Sequence, residues 1–165
     1  MKTRLALPVL AACAALLAAP KARAGIADSP LPVLSAGATT LHLYSVPGVI
    51  DGVLGTYFAC TSIDSVTMQV GVELFGPPGG APFNDAAATS LSVAPGATVI
   101  FGTGGAAGIF ISSNLGGSFS KGSARILATS KNLACTAFLA DRLNDPPTSM
   151  AQLTIIKKTK QKAAN

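Results

Sequence analysis

The sequence predicts an all-β, antiparallel sandwich of about seven to nine strands, and three observations predict it. Gly and Pro recur roughly every ten residues, apolar and polar residues alternate with period two, and beyond residue 24 no stretch has a helical pattern. Strands at that spacing, with turn signals between them, close into a sandwich or barrel.

The strands are justified in chain order. TTLHLYSV (39–46) places Leu41 and Leu43 inward and His42 outward. GTYFACTSI (55–63) sets Cys60 among β-branched and aromatic residues. SVTMQVGVELFG (65–76) has the clearest pattern, with Val66, Met68, Val70, Val72 and Leu74 on one face and Thr67, Gln69, Gly71 and Glu73 on the other. That alternation predicts a half-buried strand. Pro77 to Gly80 force a turn. Ala94-Pro95-Gly96-Ala97 then joins SLSV to ATVIF as a hairpin. A glycine-rich stretch, 102–117, holds GIFIS (108–112) as a short strand. ARILATS and LACTAFLAD form a pair split by Lys131-Asn132, and Asp145-Pro146-Pro147 breaks the chain before QLTII.

The first 24 residues do not read as part of that fold. Lys2 and Arg4 precede an apolar run from Leu5 to Pro20, and Ala22-Arg23-Ala24 is a small-x-small site before Gly25. Those are the parts of a secretory signal peptide cleaved between Ala24 and Gly25. The run falls short of the roughly 20 apolar residues of a spanning helix. A second reading of the same stretch is a lipobox, Leu10-Ala11-Ala12-Cys13, in which Cys13 is acylated and becomes the N-terminus. Against it, AALLAAP continues the apolar run where a polar linker is expected. The domain plan is therefore a signal peptide at 1–24, a flexible segment at 25–36, a β-sandwich at 37–157 and a basic tail at 158–165. No transmembrane segment is expected after cleavage.

Cleavage changes the charge. Lys2, Arg4, Lys21 and Arg23 leave, so twelve basic residues become eight against seven acidic ones, and the net charge falls from +5 to +1. Four of those eight are Lys157, Lys158, Lys160 and Lys162. A solvated terminal run, in weak contact with anionic surfaces, explains them without nucleic-acid binding. Two cysteines remain, Cys60 and Cys135, and an even count in an oxidising compartment predicts a disulfide between them.

No catalytic or metal constellation emerges. His42 is the lone histidine, no Gly-x-Ser-x-Gly occurs, and two cysteines with one histidine lack metal-ligand spacing. Ser118-Phe119-Ser120-Lys121 matches Ser-x-x-Lys, but Gly116-Gly117 and Gly122 flank it where a helix is needed. Gly102 to Ala107 fits Gly-x-Gly-x-x-Ala after a strand. A dinucleotide site needs a helix next and an acid about twenty residues on. GIFISSNLGG makes a poor helix, and residues 115–130 hold no acid. These glycines are read as a mobile loop or bulged edge adopting positive φ. Asp51, Asp64, Glu73, Asp85, Asp141 and Asp145 are scattered, mostly at turns, with no Trp to stack sugars. Asn84-Asp85 is too small a set for a full Ca²⁺ shell.

The cysteine positions, one in the second or third strand and one two strands from the end, resemble the inter-sheet bridge of immunoglobulin-like Greek-key sandwiches. No Trp lies between them, and Leu133 stands where a tyrosine corner would be. VAPGATVIF and GSARILATSKNLACTAFLAD resemble segments of small secreted proteobacterial β-sandwich proteins with no assigned activity, over most of residues 40–143. That resemblance implies a fold and no chemistry. The sequence predicts an exported, non-enzymatic binding module without cofactor or metal, whose partner is a protein or envelope component. The alternatives are an envelope component pairing through a strand edge, and an enzyme with unfamiliar carboxylate chemistry.

Overall fold

A computed structural model of the chain describes residues 25–158; the segment 1–24 read as a signal peptide, with Cys13 and Ala24, and Lys160 and Lys162 lie outside them. Ten strands follow: β1 (Leu41–Asp51), β2 (Leu54–Ser62), β3 (Met68–Phe75), β4 (Leu91–Val93), β5 (Thr98–Gly102), β6 (Ser113–Asn114), β7 (Phe119–Ala128), β8 (Leu133–Asp141), β9 (Met150–Leu153) and β10 (Ile156–Lys157). No helix occurs among the described residues. The count exceeds seven to nine because QLTII, read as one strand, divides into β9 and β10, which pair with β8 and β1 in different wings.

All ten belong to one sheet that folds into two wings. One runs β4-β3-β7-β1-β10 and the other β6-β5-β2-β8-β9, and they join at the β1–β2 turn where Asp51 faces Gly55. Every pairing is antiparallel except β5 with β6. The chain crosses between wings again from β2 to β3, β4 to β5, β6 to β7, β7 to β8 and β9 to β10, so the two faces close into a nearly barrel-shaped body. Val46, Phe58, Val70, Val72, Leu74, Phe101 and Ile126 are fully buried between the wings. Each such side chain stabilises the fold by about 1.5–3 kcal/mol.

The strand read most clearly is present, and its period is as expected: Met68, Val70, Val72 and Leu74 point into the core. Val66 precedes the strand and is exposed. The opposite face is not solvated. Gly71, Glu73 and Phe75 are buried too, under residues 25–34 and the loop carrying Ala86. A Cβ on Gly71 would stand 3.1 Å from both Ala86 O and Leu34 Cδ2, so glycine there admits two covering segments onto the strand. Leu34, Ala86 and Leu127 make a small outer core.

An ion pair holds that cover in place. Glu73 and Arg125 are opposite partners on β3 and β7, both buried, with Arg125 Nε donating to Glu73 Oε2. Three of the remaining guanidinium protons reach residues 25–34, the strap: Nη1 donates to Ser29 O (3.0 Å) and Ile26 O (3.3 Å), and Nη2 to Pro30 O (2.9 Å). The Phe75 ring lies 5.2 Å from the guanidinium carbon. The segment 25–36, read in the sequence as a flexible lead-in, thus contributes Ser29 and Leu34 to the buried set.

Five sequence expectations are corrected. SLSV and ATVIF become β4 and β5, which lie in different wings and pair with β3 and β2 in place of each other, and ARILATS and LACTAFLAD, in β7 and β8, are likewise divided between the wings. Cys60 and Cys135 are bridged, but within one wing: they face each other on β2 and β8 with Cα atoms 4.1 Å apart. That separation suits a non-hydrogen-bonded antiparallel pair, so the bridge staples neighbouring strands and does not span two sheets. GIFIS is not a strand. An Ala106–Ile109 bridge closes a tight turn there, and Ser113–Asn114 pairs with β5 instead. The first strand does not end at Val46, because Pro47 and Gly48 (φ +78°) form a bulge that carries β1 on to Asp51.

Asn84 also has a structural task. Its amide accepts from Leu74 N and donates to Val72 O, both at 2.8 Å, imitating a strand on the edge of β3. Asp85 Oδ1 caps Ala87 N and Ala88 N. Both side chains are engaged in the fold.

Candidate functional site at the loop end

At the end of the body where β1 turns into β2, one arginine ties three loops. Arg142 Nη1 donates to Asp51 Oδ1 (2.8 Å) and Gly52 O (3.3 Å), and Nε donates to Gly105 O (3.0 Å). Its backbone N–H donates to Val53 O, and its carbonyl accepts from Ala107 N. The β1–β2 turn, the glycine-rich segment and the chain leaving β8 therefore share one brace.

Gly102, Gly104 and Gly108 of that segment serve close approach and have no positive φ, whereas Gly116 (φ +66°) and Gly117 (φ +128°) adopt the positive φ expected of the stretch. A Cβ on Gly104 would lie 2.1 Å from Arg142 Nη2, one on Gly102 2.9 Å from Ile111, and one on Gly108 2.7 Å from Pro147. Tyr57 is fully buried beside Gly102 and stacks on Phe138 at 5.5 Å, and that burial pushes its hydroxyl up. Gly104→Ala will displace the guanidinium, the far end of a flexible side chain, and cost about 1 kcal/mol through the hydrogen bonds it gives up. Gly105→Ala, with open space at its Cβ, will stay within about 0.5 kcal/mol. Thermal unfolding of the two variants checks this.

A carboxylate organises the next stretch. Asp141 accepts hydrogen bonds from Ser149 N, Thr148 N and Oγ1, and Asn144 N and Nδ2. Those donors, Ser149 N–H foremost, hold its carboxyl far below the usual carboxylate range. On loops braced in this way stand three large apolar side chains facing water: Val53 (75% exposed), Phe110 (92%) and Leu143 (78%). Beside Val53 lies a pocket of about 540 Å³ lined by Ile50–Leu54, Ser118 and Ser120.

The residues singled out in the sequence do not converge here. Ser118 lies just before β7 and Lys121 on it, where the backbone is extended, not one helical turn apart. His42 is half-buried near the strap, with Nε2 3.0 Å from Ser45 Oγ and Nδ1 3.3 Å from Lys158 Nζ. Burial first, then the Lys158 and Arg125 charges, push it down to about 4. It borders a groove of about 720 Å³ walled by Leu31, Leu41 and Ile156, with Lys157 and Lys158 at one side. Asp64 accepts from Ser130 and Asn132 at the opposite end. Among the described residues no three potential metal ligands cluster. No described helix is long and apolar enough to cross a membrane.

The His42 shift sets a pH dependence. Unfolded histidine takes its proton near pH 6.5, so between pH 6.5 and about 4 the unfolded chain holds a proton that the folded one refuses. Stability from this group is complete above pH 6.5 and declines as pH falls toward 4; Asp141 adds a loss below its ordinary value of 3.8. Urea midpoints taken from pH 7 to 4 will decline, and His42→Gln will flatten that part of the curve.

Sequence reasoning assigned no role to Arg125 or Arg142. The available signal was their scarcity, since they are the only arginines after residue 24. No family model, no curated protein and no solved structure matches the chain. The reading of function rests on the residues alone.

Proposed function

We propose that the chain is an exported, non-enzymatic β-sandwich that acts as a binding module and engages a protein of the cell envelope through its loop end. The observation that carries this reading is the exposure of Val53, Phe110 and Leu143 on loops tied together by Arg142 and Asp141. Exposed apolar side chains are ordinary when scattered, but a group held on rigid loops at one end suits recognition. Preorganised anchors lose little entropy on binding. The Cys60–Cys135 bridge is compatible with an oxidising compartment and with the signal peptide read in residues 1–24. Assembly through a strand edge has less support. β3 is flanked by β7, β4 and the Asn84 amide, and the strands at the wing edges run only two to four residues.

The test is cross-linking in the exporting cell. Wild-type protein is expected to give a discrete higher-mass adduct. The V53S/F110S/L143S variant, altered only at water-facing positions, should keep its melting temperature and lose the adduct. A variant that folds normally and still forms the adduct would refute the reading.

A further inference from the structure

The strap over the Glu73–Arg125 pair includes Gly25, the residue that follows Ala22-Arg23-Ala24 in the sequence. Gly25 is also the anchor of the strap's first turn. Its nitrogen donates to Asp28 Oδ1 at 2.6 Å, and its carbonyl accepts from Asp28 N (3.3 Å) and Ser29 N (2.9 Å). The next carbonyls along, those of Ile26, Ser29 and Pro30, are the ones that Arg125 binds.

From this juxtaposition we infer that signal-peptide removal builds part of the mature fold: the α-ammonium it creates on Gly25 pairs with the Asp28 carboxylate and locks the strap over Arg125. The inference rests on the export reading above. Hydrolysis breaks the Ala24–Gly25 C–N bond. Water supplies the hydroxyl that makes the Ala24 carboxylate and a proton to the Gly25 nitrogen, which takes up a second proton at neutral pH. Before cleavage that nitrogen is an uncharged amide with one hydrogen, and its bond to Asp28 is charge-assisted from the carboxylate side alone. After cleavage both partners are charged, and the attraction of an exposed ion pair is added to the bond. A carboxylate at the third residue of a first turn is the capping arrangement that satisfies the turn's leading nitrogen. Cleavage places a full positive charge there.

Four oxidised proteins test this by hydrogen exchange of residues 26–34. One starts at Gly25 and is released from an N-terminal fusion without added residues. One retains Ala22-Arg23-Ala24, and each is also made with Asp28→Asn. The strap amides of the Gly25-start protein are expected to exchange about two- to fivefold more slowly than those of the extended protein, with β3 and β7 unchanged. In the Asp28→Asn background, the extension should make no further difference. Equal strap exchange in the Gly25-start and extended proteins would overturn the inference, as would an extension effect that survives Asp28→Asn. Intact mass from an exporting host tests the cleavage separately. A mature chain starting elsewhere than Gly25 removes the amine and overturns this inference, while the loop-end binding reading stands.

Discussion

Arg125→Ala is expected to be the most damaging single substitution in the chain, lowering stability by about 3–5 kcal/mol. It leaves the Glu73 carboxylate buried with no countercharge and removes the donor to the carbonyls of Ile26, Ser29 and Pro30. Urea unfolding measures the loss. The paired change Arg125→Met with Glu73→Leu separates its two causes. Replacing a buried ion pair by apolar residues is often neutral, so much of the global stability should return. The strap should not return, because its carbonyls still lack a donor, and residues 26–30 will remain open to exchange. Recovery of both would mean that the strap is held by Leu34 and its apolar neighbours and not by the guanidinium.

The second large effect concerns the bridge. Cys60 and Cys135 are separated by 75 residues, and closing a loop of that size removes denatured-state entropy worth about 4 kcal/mol. The Cys60→Ser, Cys135→Ser double variant is expected to lose that amount in denaturant unfolding. The slope of free energy against denaturant should rise, since the open unfolded chain exposes more surface. The fold should survive, because the bridge sits in a register already fixed by nine paired residues of β2 and β8. Collapse to an unfolded chain on mild reduction would show that this register depends on the covalent link.

The inward-facing half of the fold was legible in the sequence, and the outward-facing half was not. Met68, Val70, Val72 and Leu74 announce a core face because period two is a local signal. Gln69, Gly71 and Glu73 read as the solvent side, since a glycine that admits a covering segment and an acid awaiting a buried arginine look the same as surface residues. Their partners lie far away in sequence: Leu34 and Ala86 for Gly71, Arg125 for Glu73. The same gap hid the loop end. Gly102, Gly104 and Gly108 signalled irregular backbone, but their use, seating Arg142 and Pro147, depends on a loop some forty residues later. Phe110 was placed in a short strand because GIFIS has the composition of one. The turn at Ala106–Ile109 overrides that local preference and leaves the ring facing water.

The proposed binding surface is the loop end braced by Arg142. Site-specific photo-cross-linking tests it most directly, with a photoactivatable residue at position 110 or 143 and, as a comparison, at exposed Ile63 near the opposite end. The account predicts one discrete adduct from 110 and from 143, none from 63, and loss of the adduct on Arg142→Ala. Adducts formed equally from both ends, or an adduct from 110 that is indifferent to Arg142→Ala, would contradict it.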